Sequence, residues 1–272
     1  MKLAVSNIAW TKEEEPQIAG LLQSLGVKYI EIAPTKTWDE PTEATDSEIE
    51  QYKAWWGNYG IEIVAFQSML FSHPDYTLFE SDSERQKTQD YLESFTELAG
   101  KVGAKRMVFG SPRNRQRNDM PNDEAINIAE DFFTGIANVA AVNDVVFCVE
   151  PNAPQYNCDF ITNAAQGIEL VKRVNSPGFG LHLDIACMTL AEDDITASIN
   201  DGKEYLKHFH ISTPMLGPVS EGDGVQHSVA AAALKDVGYD GYVSIEMRPG
   251  DEGTNLDRVK TAVQFAQKTY FS

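Results

Sequence analysis

Eight times along the chain a short apolar run is followed by a stretch with apolar residues at helical spacing, and no shift of composition interrupts the series. Short runs rich in Val, Ile, Phe and Leu read as buried parallel strands, and their alternation with helices leads to a parallel sheet with helices outside it. The strands are read at residues 3–9, 28–33, 61–67, 105–110, 145–150, 179–184, 205–211 and 241–247. The 272 residues are close to the usual size of one such unit. The expectation is an α/β chain folded as a single (β/α)8 TIM barrel, one domain over residues 1–272 without a linker.

Local signals set the helix ends. Ser47 and Glu50 match a capping box, Gly103 closes the third helix, Thr162 is expected to cap the fifth, and the sixth is read as one helix from Met188 to Asn200. The long stretch SMLFSHPDYTLFESD after the third strand is read as a functional rim segment.

Four runs in the second half end in, or carry, a residue able to hold a metal: VVFCVE at Glu150, FGLHLD at Asp184, KHFHI at His210 and GYVSIE at Glu246. In a barrel of this kind the carboxyl ends of all strands open into one mouth, so four separate strands deliver two Glu, one Asp and one His to the same place. Three carboxylates and one imidazole suit one divalent ion, Mn2+, Mg2+ or Co2+ first, with Zn2+ also compatible. An ion there, chelated by a hydroxy-ketone, would polarise the carbonyl and favour an enediolate. Glu150 and Glu246, from non-adjacent strands, would then act as a catalytic acid/base pair in epimerisation or isomerisation.

Composition removes several classes. The formal net charge of -19 repels phosphate backbones, so nucleic acid is not an expected partner. The longest apolar runs are far too short to span a bilayer, so no membrane association is expected. The opening MKLAVSNIAW enters a strand pattern at once and lacks signal-peptide architecture. Three cysteines without metal-type spacing argue against a disulfide framework or a zinc ribbon. A reducing cytoplasm fits these features.

The segments VEPNAPQYNCDF, LHLDIACM, HFHIS and GYDGYVSIEM, with VAFQSMLF and VFGSPRNR earlier, resemble the xylose isomerase-like TIM barrels, the sugar-phosphate isomerase/epimerase superfamily. The resemblance implies a single divalent metal held by Glu150, Asp184, His210 and Glu246, a carbohydrate or polyol substrate, and in many members a homo-oligomer. In the ketose 3-epimerases of this superfamily the two glutamates are the acid/base pair. Two departures stand out. Those epimerases usually have a His three residues after the Asp ligand, where this chain has Cys187, and an Arg shortly after the seventh-strand His, where it has STPMLG.

Other rim residues are candidate substrate contacts. Glu31, Gln67 and Asn152 lie at or just after strand ends and could bond sugar hydroxyls. His182 shares a strand face with Asp184 and is a candidate for substrate contact, for supporting a ligand or for being an alternative one, although a packed interior histidine is the simpler reading. Arg113, Arg115 and Arg248 could hold a phosphate or carboxylate substituent, though Arg115, like Arg117, reads equally well as ordinary loop charge. The leading expectation is a metal-dependent sugar epimerase/isomerase. The alternatives are a dehydratase of the inosose or dehydroshikimate type and a non-catalytic sugar-binding barrel. A DNA-repair endonuclease is disfavoured by only five histidines and the acidic charge.

Overall fold

First and last strands pair in parallel, Lys2 opposite Tyr242 through Val5 opposite Ile245, and this pairing shuts the sheet into a ring. The computed structural model describes residues 1–251 and 253–272. Among them eight parallel strands follow one another around a closed barrel in chain order. They are β1 (Lys2–Ser6), β2 (Tyr29–Ile32), β3 (Glu62–Phe66), β4 (Arg106–Phe109), β5 (Val146–Val149), β6 (Phe179–Asp184), β7 (Leu206–Ile211) and β8 (Tyr242–Ile245). All eight strands expected from the apolar runs are present, with ends displaced by a few residues.

The principal helices outside the ring are α1 (Glu15–Ser24), α2 (Asp46–Gly57), α3 (Asp82–Val102), α4 (Asn122–Val142), α5 (Ala164–Val174), α6 (Ile195–Gly202), α7 (His227–Asp236) and α8 (Asn255–Tyr270). α3 stops at Gly103 in the left-handed conformation (φ 93°), as its sequence position predicts. Three local expectations need correction. The capping box of α2 is formed by Thr45 and Glu48, two residues before the expected pair, because Thr45 is extended and exchanges hydrogen bonds with Glu48 while Ser47 already lies within the helix. Asn163, not Thr162, caps α5 through the Gln166 N–H. The single helix expected over Met188–Asn200 is two helices, Ile185–Leu190 and α6. Asp184 caps the first and Asp194 the second, and Glu192 turns between them with φ 57°.

Apolar packing lies mainly between the sheet and the helices, where Phe109, Phe132, Phe133, Phe147 and Phe179 meet edge-on or tilted. Gly178 belongs to this shell: a Cβ there would lie 2.0 Å from the Ala137 carbonyl oxygen, so α4 sits directly against the entry to β6. Within the ring a small separate cluster gathers Ala4, Val64 and Ala65 with Tyr29 and Tyr242. The interior also carries a polar layer of Glu31, His182, His208, His210 and Ser244, all fully buried. Strand register shifts at Ile30/Glu31 and at Leu181/His182, beside two members of that layer. Such irregularities re-aim side chains at a barrel rim.

Candidate metal centre and cavity

Consecutive strands β5 to β8 bring Glu150, Asp184, His210 and Glu246 to one end of the barrel. Glu150 and Glu246 directly follow β5 and β8, Asp184 ends β6, and His210 lies in β7. His210 Nδ1 is 3.3 Å from Glu246 Oε2 and 3.9 Å from Asp184 Oδ2. Asp184 is held from both sides: Oδ1 accepts the Cys187 N–H at 2.6 Å and Oδ2 accepts the Ser212 hydroxyl. The carboxylate of Glu150 needs Gly110, since a Cβ at that position would stand 2.3 Å from Glu150 Oε2.

The polar layer supports this group. Glu31 Oε2 is 2.9 Å from His210 Nε2, and Oε1 is 3.2 Å from His208 Nε2. Burial alone would raise the Glu31 carboxyl, but the charges and hydrogen bonds of His210 and His208 prevail and hold it well below the usual carboxylate range. With Nε2 committed to Glu31, His210 presents Nδ1 to Asp184 and Glu246. Burial opposes charge on His210, yet Glu31 and Glu246 outweigh it and raise its pKa well above the ordinary value. Burial, reinforced by Asp184 and Glu246, pushes Glu150 up to about 8. Glu246 is also raised, by burial first, against the lowering effect of His210. Burial keeps the Cys187 thiol protonated, with Asp184 and Glu150 adding to the effect.

A cavity of about 720 Å³ opens over these residues, lined by Glu150, Asp184 and Glu246 on one side and by Leu70, Phe71 and Pro74 on another. The long segment after β3, expected to be a functional rim, forms that second wall. Several rim residues other than glycine hold positive φ: Ser68 (54°), Ser72 (68°), Ser111 (44°) and Leu216 (54°). All four line the cavity. Backbone of this kind is costly for such residues and gathers where a loop must present a defined surface.

Three of the expected substrate contacts, Gln67, Asn152 and Arg113, line the cavity. Glu31 and His182 do not: both are fully buried among the interior residues, below the cavity lining. Arg248 is exposed outside the cavity lining, and its backbone N–H is tied to the Leu216 carbonyl at 2.9 Å. Arg115 is not loop charge. It is fully buried and donates to the Glu150 carbonyl at 2.6 Å and to Asn152 Oδ1 at 2.7 Å, fixing two cavity residues at once. Nothing in PRNRQR separates Arg115 from its neighbours; only the fold does. Gly110 and Ser212 were also absent from the sequence-based set, although a glycine ending a barrel strand beside a carboxylate is a usable signal.

The donor set fits a metal ion. Glu150, His182, Asp184 and His210 each offer one atom, and these atoms all lie within 4.8 Å of one another. His210 Nδ1 is buried without a hydrogen-bond partner. Buried acids are rarely gathered this closely unless they are paired or ligating. The buried His/Glu/Asp cluster is therefore one that could hold a metal.

Comparison with known proteins gives the family. The family model described as "Xylose isomerase-like TIM barrel" matches residues 20–269, and the chain belongs to that family. A probable ketose 3-epimerase of Synechocystis sp. is 26% identical over 253 residues, 90% of this chain and 84% of that protein. A ketose 3-epimerase of Arthrobacter globiformis is 30% identical over 92 residues, and this match spans only 32% of the relative's length and 34% of this chain. Among solved structures, D-psicose 3-epimerase from Clostridium cellulolyticum H10, solved with D-tagatose, superposes with a TM-score of 0.83 at 18% identity, covering 99% of both chains. The IOLI protein, solved with a zinc atom bound, superposes with a TM-score of 0.78 at 18% identity, covering 99% of this chain and 98% of that one. Among the described residues no helix is long and apolar enough to cross a membrane.

Proposed function

We propose that the protein is a divalent-metal-dependent epimerase or isomerase of a ketose or ketose derivative, acting by proton transfer through Glu150 and Glu246. One observation carries this reading: both carboxylates line the same cavity, with Asp184 and His210 on the strands between them. In this reading Glu150, Asp184, His210 and Glu246 hold the ion, Mn2+, Mg2+, Co2+ or Zn2+. The bound ion would polarise the substrate carbonyl and acidify the adjacent C–H.

One glutamate takes the proton from that carbon, leaving an enediolate. The other returns a proton, to the opposite face of the same carbon in epimerisation or to the neighbouring carbon in isomerisation. Gln67 and Asn152 orient hydroxyl groups, and Arg115 holds Asn152 and the Glu150 backbone in place. The names of the Synechocystis and Arthrobacter relatives agree with this reaction class.

The cavity also bears on the substrate. Among the described residues lining it, Arg113 is the only Arg or Lys, and it is exposed. A buried phosphate site would need more than one exposed guanidinium, so an unphosphorylated substrate is favoured. Cys187 and Leu216 line the wall where the resemblance led us to expect a His and an Arg. Fewer polar contacts on that wall favour a substrate with an apolar substituent, or one fewer hydroxyl, at the corresponding end.

The test is His210→Ala and Glu246→Gln, each assayed for metal binding and for turnover of a ketose panel with product analysis. His210→Ala should lose both, and Glu246→Gln should lose turnover. Full metal affinity and full activity in both would sink the proposal, and loss of water from the substrate would replace it with a dehydratase.

A further inference from the structure

Three imidazoles cluster inside the barrel, with His210 edge-on to His182 at 4.1 Å between ring centroids and His208 at 5.4 Å from each. Two of them stand against the Glu31 carboxylate. Glu31 has two oxygens, and it turns one to His208 and the other to His210. None remains for His182. Both ring nitrogens of His182 and of His208 lack a hydrogen-bond partner although both residues are fully buried, but His208 Nε2 has a Glu31 oxygen at 3.2 Å, whereas the carboxylate facing His182 Nε2 is that of Glu150, at 3.9 Å. A buried imidazole of this kind calls for an explanation, because an aliphatic side chain would fill the same space without desolvating two polar atoms.

His182 Nε2 faces the candidate metal centre. It lies 3.9 Å from Glu150 Oε1, and a His182 ring nitrogen lies within 4.8 Å of ligand atoms of Glu150, Asp184 and His210. Ligand atoms about 2.0–2.2 Å from one ion stand about 3–4 Å from each other across the usual bond angles. The separations among Asp184, His210 and Glu246, 3.3 and 3.9 Å, fall in the same range. The three imidazoles also converge within 4.8 Å. They do not make a separate site, because Nε2 of both His208 and His210 is turned to Glu31.

We infer that His182 is a fifth protein ligand, so that the ion is held by two imidazoles and three carboxylates. The inference rests on the metal-dependent reading above and deepens it. Its chemical consequence is selectivity. A second imidazole moves the site away from Mg2+, which favours an oxygen shell, and toward Zn2+ and Co2+.

X-ray absorption at the zinc edge on the zinc-loaded full chain tests this without a variant. Two imidazoles in the coordination shell are expected. A tightly bound zinc with one imidazole would overturn the inference and leave the metal-dependent reading standing. Failure to bind zinc, Mn2+ or Co2+ at all would overturn both. In His182→Leu the imidazole count should fall to one, and Zn2+ affinity should drop more than Mn2+ affinity. An unchanged ratio of the two affinities in that variant would also overturn the inference, since a purely packing role would weaken both ions alike.

Discussion

Strands β5–β8 and β1–β4 build matching halves of one ring, but they carry different chemistry at the cavity. The second half supplies every candidate metal ligand: Glu150, His182, Asp184, His210 and Glu246. The first half supplies what surrounds them. Glu31 anchors His210 from within the barrel. Gly110 leaves room for Glu150. The segment after β3 raises the apolar wall of Leu70, Phe71 and Pro74. The division implies that reaction and recognition can be changed separately, which single substitutions can break or sharpen.

The largest effects belong to the second half. Glu246→Gln should lower kcat by about a hundred- to ten-thousand-fold, the usual contribution of a general acid or base, with KM little changed. A comparable rise in KM at constant kcat would instead make Glu246 a binding residue. Next is Glu31→Gln, which weakens the partner of His210 without touching substrate. Removing such a supporting partner typically costs about 10–100-fold in metal affinity, measurable by competition with a chelator. An unchanged affinity would mean that the interior layer does not support the centre.

Gly110→Ala should then separate folding from function. Its Cβ would meet the ends of the Glu150 and Asn152 side chains and no backbone, so the melting temperature should hold while metal affinity and turnover fall. A large loss of stability with activity intact would contradict this placement.

Proton release offers a smaller but sharp check. In the metal-free protein His210 is raised well above its ordinary value and Glu150 to about 8, so both are largely protonated at neutral pH. An ion must displace those protons, so affinity should rise with pH from neutral through about 8. Calorimetry in buffers of different ionisation enthalpy should find about one to two protons released at pH 7. Zero release would contradict the charge states described. The smallest effect is expected at the apolar wall, where Phe71→Ala, now 70% exposed, should raise KM a few-fold and leave kcat alone.

Much of this was legible in the chain. The strand–helix alternation carries the barrel because burial on both faces demands continuous apolar runs, and the gathering of Glu150, Asp184, His210 and Glu246 at one end follows from their equivalent places at strand ends. What stayed hidden depends on contacts between distant segments. Arg115 reads like Arg113 and Arg117 until the fold buries it beneath Asn152. Glu31 reads as a rim residue until the register shift in β2 is known. The break in the sixth helix rests on two aspartates competing as caps, which helical spacing alone does not resolve.

Proton exchange tests the central claim most directly. The metal-loaded protein would be incubated in D2O with a panel of unphosphorylated ketoses and their derivatives, and the C–H signals followed by NMR. Deuterium should appear at a carbon beside the carbonyl, and its position would distinguish epimerisation from isomerisation. In Glu246→Gln any exchange should be confined to the proton on the face that Glu150 serves, with no net epimerisation or isomerisation. With a metal demonstrably bound, no exchange at any carbon across the panel would contradict a proton-transfer enzyme acting on these sugars.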